Sequence, residues 1–414
     1  MTLPVYGNSL SMQQIANEFS GGTVRPLGSY YAGGSYVPAG AKGYPSGGGA
    51  TSIPSSGAIS LNSFFGSAAF QGFNSIATMG SSSANQIMIA TAVSSSGTYV
   101  AVGYSLASGS LYAPIFSYST NGTTWSTPAF MNGSTVGARM LAVTVNSSGL
   151  FVAVGYNQSN NAAVYATSSN GTTWTTPALM NGNTSISLMQ AVTVNSSGLF
   201  VAVGVGTSSS AIYATSSNGS TWTTPAYMTG SAVTAPMYGV AVNSSGLFVA
   251  VGSGGSNQGV FSTSSNGSTW STPASMNGYS GYSEMQAVTV NKSGVFVALG
   301  SDVNNTPGSP YPMFATSSNG TTWTSPAYIS TTIPFILYSV TALPNGSFIG
   351  VGSNPGAYSY YVSSANGSTW STPTLFTGGG TYPTMYGVTS KSSNLAVAVG
   401  TNSINNAGSY ATSY

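Results

Sequence analysis

The chain has 414 residues, long enough to bury a substantial core, yet only 2% of them are charged, against about 25% in an ordinary soluble domain. A net charge of +2 over five basic residues (Arg25, Lys42, Arg139, Lys292 and Lys391) cannot supply the several phosphate contacts of a nucleic-acid binder, and no apolar run reaches the length of a membrane span. His and Cys are absent and the only acids are Glu18, Glu284 and Asp302, which removes zinc sites and Ser-His-Asp or Cys-His catalysis, and with Cys goes any disulfide.

In chain order the first segment, residues 1–66, stands apart from the rest. Residues 1–20 lack the basic start and continuous apolar run of a secretory signal. Ser11 is placed to cap a short helix through Phe19, with Met12, Ile15 and Phe19 on one face. Such a stripe needs a cover, either the following strand or another protein. The Gly-rich stretch 40–49 reads as a flexible connection.

The run Ser9-Leu-Ser-Met-Gln-Gln-Ile-Ala-Asn-Glu-Phe19, followed by Leu27-Gly-Ser-Tyr-Tyr31, Tyr36-Val-Pro38 and Ile53-Pro-Ser-Ser-Gly-Ala-Ile-Ser-Leu61, resembles a module of tailed-phage virion proteins, tail-fibre and baseplate-associated proteins among them. The resemblance implies a virion location, attachment to other virion proteins through residues 1–66, and homo-oligomerisation of the kind found in phage fibres.

From about residue 86 a unit of about 48 residues recurs to the C-terminus. Its first marker is a strand ending in Val-Gly or Leu-Gly, at Gly103, Gly155, Gly204, Gly252, Gly300, Gly352 and Gly400. Its second is a Ser-Asn-Gly-x-Thr-Trp-like stretch with Trp125, Trp174, Trp222, Trp270, Trp323 and Trp370. Within one unit, Met189–Asn195 alternates apolar and polar residues as a strand does, Ser196-Ser197-Gly198 turns the chain, and Leu199–Val203 is a second strand. Ala211–Ser216 is the third. Asn218-Gly219 then predicts a two-residue hairpin with both positions at positive φ, leading into a fourth strand, Thr221–Ala226, that carries the Trp.

Four antiparallel strands per repeat of this length predict an all-β, seven-bladed β-propeller over residues 67–414, its aromatic residues filling the space between blades. The seventh unit ends at Tyr414 without a fourth strand. Phe73-Asn-Ser-Ile-Ala-Thr-Met79 matches Trp174-Thr-Thr-Pro-Ala-Leu-Met180 position for position, so residues 70–79 are expected to complete the last blade and close the ring. The Ser-Asn-Gly-x-Thr-Trp stretches also resemble Asp-box propeller repeats with Asn in place of Asp, a structural motif in those families.

The first-to-second and third-to-fourth turns are short and uniform and share one face of the disc. The second-to-third loops and the connections between units vary and share the other, where binding function resides in scaffolded folds unless the loops have merely drifted. Tyr104, Tyr112, Tyr156, Asn157, Tyr279, Tyr282, Glu284, Asp302, Tyr311, Tyr358 and Tyr382 are the ligand-binding candidates there. Their rings and neutral hydrogen-bonding groups suit a host-surface glycan, bound with little dependence on salt.

A glycosidase needs two facing carboxylates, for which only Glu284 and Asp302 are in the repeats, and a sialidase-like site needs several arginines where the repeats hold Arg139 alone. No Asp-rich calcium loop is present, and no cofactor or metal is implied. Asn-x-Ser/Thr triplets at Asn121, Asn170, Asn218 and Asn266 fall at turns and are read as turn chemistry rather than glycosylation.

The sequence therefore points to a non-enzymatic virion protein that displays a propeller for glycan recognition or particle decoration. A lectin-like propeller of cellular origin is the main alternative, and a polysaccharide-degrading enzyme a distant third.

Overall fold

The computed structural model describes residues 42–43, 51–52, 72–81, 85–106, 112–133, 137–182, 186–229, 234–255, 257–278, 282–302, 310–354, 358–378, 383–392, 395–402 and 406–413. The expected helix 11–19 and the Tyr-Tyr segment lie outside them. Lys42–Gly43, within the Gly-rich stretch, pairs antiparallel with Thr51–Ser52 just beyond it.

Apolar residues alternating with Ser and Thr build four-stranded antiparallel sheets. The third blade shows the plan: Ser187–Val194, Phe200–Gly206, Ala211–Ser216 and Ala226–Tyr227, paired in that order. Six sheets are simple meanders of this kind. The seventh is assembled from Thr384–Ser392, Leu395–Thr401, Gly408–Thr412 and, from the other end of the chain, Ala77–Thr78. The first strand of every blade packs beside the first strands of two neighbours, the first blade touching the seventh, so the ring is closed.

The closing register is the expected one. Ala77 opposes Tyr410 just as Ala178 opposes Tyr165, and Phe73 occupies the slot that Trp fills elsewhere. In that slot Trp222 lies 6.2 Å from Tyr165 of the preceding blade, and Phe73 lies 5.3 Å from Tyr361 and 4.8 Å from Phe376. Val152 and Val154 of the second blade pack with Met189, Phe200, Ala202 and Trp222 of the third, a layer repeated around the ring. The aromatic residues are thus inter-blade core, with Trp370 more open than the other five.

Two local expectations are corrected. The fourth strand is Ala226–Tyr227 alone, and Trp222 precedes it in an extended segment that forms no ladder of its own. Secondly, Asn218-Gly219 is no two-residue hairpin, because Gly219 takes a positive φ of 76° and Asn218 does not. Side chains hold the turn instead. Gly219 N donates to Ser216 Oγ at 2.8 Å, Ser220 N and Thr221 N donate to Asn218 Oδ1 at 2.9 and 2.8 Å, and Trp222 Nε1 donates to Gly219 O at 3.0 Å. Satisfying these amides locally moves the start of the last strand from Thr221 to Ala226, five residues downstream.

The uniform face is built by this turn together with Asn195-Ser-Ser-Gly198, whose Asn195 Oδ1 accepts from Ser197 N and Leu199 N. Turns of adjacent blades interlock there: a Cβ at Gly219 would lie 2.7 Å from Val152 of the preceding blade.

Candidate ligand-binding site at the channel mouth

The glycine that marks each repeat has a geometric cause. In all seven blades the register between first and second strands slips by one residue: Met189 opposes Gly204, Ala191 opposes Val203, and Gln190 is extra. The bulge drives a first-strand carbonyl toward the second strand, so a Cβ at Gly204 would fall 1.9 Å from Leu188 O, and the six equivalent glycines show the same approach at 1.7–1.9 Å. Only glycine admits that carbonyl, and the bulge in turn re-aims the extra side chain.

The seven extra residues are Ile89, Leu141, Gln190, Tyr238, Gln286, Tyr338 and Tyr386, and all line one cavity of about 360 Å³ along the ring axis. The scaffold repeats while these side chains do not. Around the axis the ring runs from amides and a phenol (Gln190, Tyr238, Gln286) to two phenols (Tyr338, Tyr386) to two aliphatic residues (Ile89, Leu141). Tyr338 and Tyr386 stand 5.2 Å apart at 45°. Burial pushes the hydroxyl pKa of Tyr386 up to about 12, with Tyr338 and Tyr104 adding to the rise, and that of Tyr238 to about 12, with Glu284 adding to it. At neutral pH the rings therefore offer uncharged O–H groups.

Two residues before each extra residue stand Ile87, Arg139, Leu188, Pro236, Glu284, Ile336 and Thr384, toward the variable face. Two of these are charged, and they lie three blades apart, nearly opposite in a ring of seven. Glu284 accepts from Gln286 Nε2 at 3.2 Å, and burial raises its carboxyl pKa more than that bond lowers it. Arg139 is caged by rings, its guanidinium carbon 3.9 Å from the centroid of Tyr112, 4.8 Å from Tyr104 and 5.8 Å from Tyr156. Tyr104 and Tyr112 meet edge to face at 4.9 Å.

Of the residues singled out from sequence, Tyr104, Tyr112 and Tyr156 thus converge on Arg139, and Glu284 stands at the mouth. Asn157 does not join them: its Oδ1 accepts from Ser159 N and shapes its own loop. Tyr311 packs edge to face on Tyr328, whose hydroxyl donates to the buried Asp302. Asp302 is therefore directed to the outermost strand of its blade while Glu284 faces Tyr238 and Gln286 on the innermost, and the two carboxylates do not form a facing pair. Tyr282 and Tyr358 are half-exposed outliers, and Tyr279 and Tyr382 lie outside the described residues.

Arg139, Gln190, Tyr238, Gln286, Tyr338 and Tyr386 were not singled out from sequence, where they read as ordinary strand positions. A signal was present: in five of the seven first strands a Met-x-Ala/Gly-Val pattern brackets a residue that varies (Leu141, Gln190, Tyr238, Gln286, Tyr386), while Met88-Ile-Ala-Thr91 and Leu337-Tyr-Ser-Val340 depart from it.

No family model matches the sequence, and no curated protein matches it. Among solved structures the fold is similar to the BP39L lectin from Burkholderia pseudomallei, at 12% identity and a TM-score of 0.56, covering 78% of this chain and 94% of that one. It is likewise similar to YCF48 from Cyanidioschyzon merolae (13%, 0.54, 82% and 98%). The intramolecular trans-sialidase from Ruminococcus gnavus, in complex with oseltamivir carboxylate, gives 12%, 0.50, 68% and 93%. At such identities the likeness is one of architecture, and the chain is a seven-bladed β-propeller with structural neighbours among YCF48, lectin and trans-sialidase propellers.

Proposed function

We propose that the chain is a non-catalytic carbohydrate-binding propeller that takes an oligosaccharide at the axial mouth of its variable face. The observation that carries this reading is the ring of bulge side chains. An otherwise seven-fold scaffold presents uncharged phenols and amides on one arc and aliphatic groups on the other, the pairing of stacking surface and neutral hydrogen bonds that sugars use. That BP39L is called a lectin agrees with it. The divergence of Glu284 and Asp302 argues for binding without hydrolysis.

The biological setting follows the resemblance of residues 1–66: a virion surface protein, attached through that segment, displaying the propeller to a host glycan. Screening the full chain on a glycan array tests the binding reading. Selective retention by one glycan class, weakened about tenfold or more by Tyr386→Ala, is the expected result, the loss corresponding to about 1.4 kcal/mol. Absence of retention, or release of shortened oligosaccharides, would overturn it. Mass spectrometry of purified phage particles tests the setting, and failure to find the chain there favours the cellular lectin.

A further inference from the structure

We propose that Arg139 is a carboxylate-recognising group, so that the ligand of the channel mouth is an acidic oligosaccharide carrying a uronate or sialate carboxyl. This inference rests on the carbohydrate reading above and narrows it.

The first ground is an unmet demand. Nε of Arg139 is buried without a hydrogen-bond partner, and among the described residues nothing accepts from the guanidinium or pairs with its charge. Among the described residues only ring faces lie against the guanidinium, and a half-buried cation of this kind with an unpartnered buried Nε is completed by an anion. Neither described acid supplies one: Glu284 is turned toward Gln286 and Tyr238 three blades away, and Asp302 takes the Tyr328 hydroxyl.

The second ground is orientation. Tyr104, Tyr112 and Tyr156 hold the guanidinium in place, so little freedom remains to be lost when a ligand arrives. The planar fork then matches a carboxylate with two parallel bonds, which a lysine head cannot do.

The third ground is placement. Arg139 lies two residues before Leu141 of the bulge ring, and Tyr104 beneath it is close enough to raise the pKa of Tyr386. A sugar ring on Tyr386 and a carboxylate on Arg139 can therefore belong to one ligand. The other cations of the propeller, Lys292 and Lys391, sit by the turns of the uniform face, so among the described blade residues Arg139 is the one cation a carboxylate meets at the variable face.

The test uses the full chain and an array of uronate- and sialate-bearing oligosaccharides, each as free acid and as methyl ester, with affinities of retained pairs measured by calorimetry. The wild type is expected to bind the acid at least tenfold more tightly than its ester, and R139Q to bind both alike at the wild-type ester's affinity. Should R139Q fail to fold, R139K decides: a preference reduced by threefold or more supports the assignment, and an unchanged one overturns it. Equal binding of acid and ester by the wild type overturns the role of Arg139 while leaving the carbohydrate reading intact, whereas retention of no glycan overturns both. Discrimination only between peptides with free and amidated C-termini would keep the carboxylate and overturn the sugar.

Discussion

Ring closure by the N-terminal strand makes the sharpest stability prediction. Deleting residues 1–84 removes Phe73, Ile76 and Met79, which are 6%, 7% and 0% exposed, together with the pairing of Ala77–Thr78 onto Gly408–Thr412. Burial of three such side chains is worth about 1.5–3 kcal/mol each, or roughly 5–9 kcal/mol in all. The backbone bonds Asn74 N to Thr412 O, Ile76 N to Thr377 O and Met79 N to Gly408 O go as well, at about 1 kcal/mol each. Against a total stability of about 5–15 kcal/mol this is most or all of it. Calorimetric melting should show one cooperative transition for the chain lacking residues 1–64 and none, or one far lower, for the chain lacking residues 1–84. Equal transitions for the two truncations would refute the reasoning.

Other consequences are as direct. Tyr99 occupies the slot held by Phe in the next five blades, and its hydroxyl is buried without a partner, so Tyr99→Phe should stabilise the fold by about 1–3 kcal/mol, read as a higher denaturation midpoint. Gly204→Ala sets a Cβ 1.9 Å from Leu188 O and 2.9 Å from Met189 Cα, and should cost about 3 kcal/mol or more. Gly198→Ala, with positive φ and open space around it, should cost only about 1–2 kcal/mol, and denaturant melts compare the two. Burial raises the pKa of Glu284 above the ordinary carboxyl value of 4.5; below that pH both native and unfolded chains keep this proton, and above it the unfolded chain releases it first. Stability should therefore fall as pH rises from 4.5 through the raised native pKa and then level off, and Glu284→Gln should remove that fall in melts at pH 4 and 7.

What the sequence made legible was whatever repeats. The seven glycines, six tryptophans and the Phe73–Met79 match specify blade number, strand order and closure, because each reflects a constraint imposed seven times over. Strand limits were less legible, since Ser216 and Asn218 satisfy backbone amides locally and delay the last strand, a competition that strand propensity does not register. The site was legible in part. Tyr104, Tyr112 and Tyr156 stood out as loop-flanking aromatics, but the cation that gathers them is the cross-strand partner of Tyr156 alone and reaches Tyr104 and Tyr112 from the next blade, a contact no local pattern encodes. Gln190 and Tyr238 were hidden because a bulge breaks the period-two rule by which a strand residue is assigned to a face.

The Ser/Asn turns bear on how so uncharged a molecule avoids pairing with its copies. Closing the ring joins blades face to face and leaves the outer edge of each sheet open. Among the described residues those edges carry no Lys or Glu to discourage a partner strand. They are instead two residues long: Ala129–Phe130, Ala178–Leu179, Ala226–Tyr227, Ala274–Ser275, Ala327–Tyr328, Thr374–Leu375 and Ala77–Thr78. A ladder that short offers an incoming strand too few bonds to offset its ordering, so brevity takes the place of charge. In six blades the Ser/Asn turn that displaces the fourth strand is what makes it brief. The residues that carry the repeat thus guard its edge, while two of the chain's eight charges, Arg139 and Glu284, stand at the channel mouth.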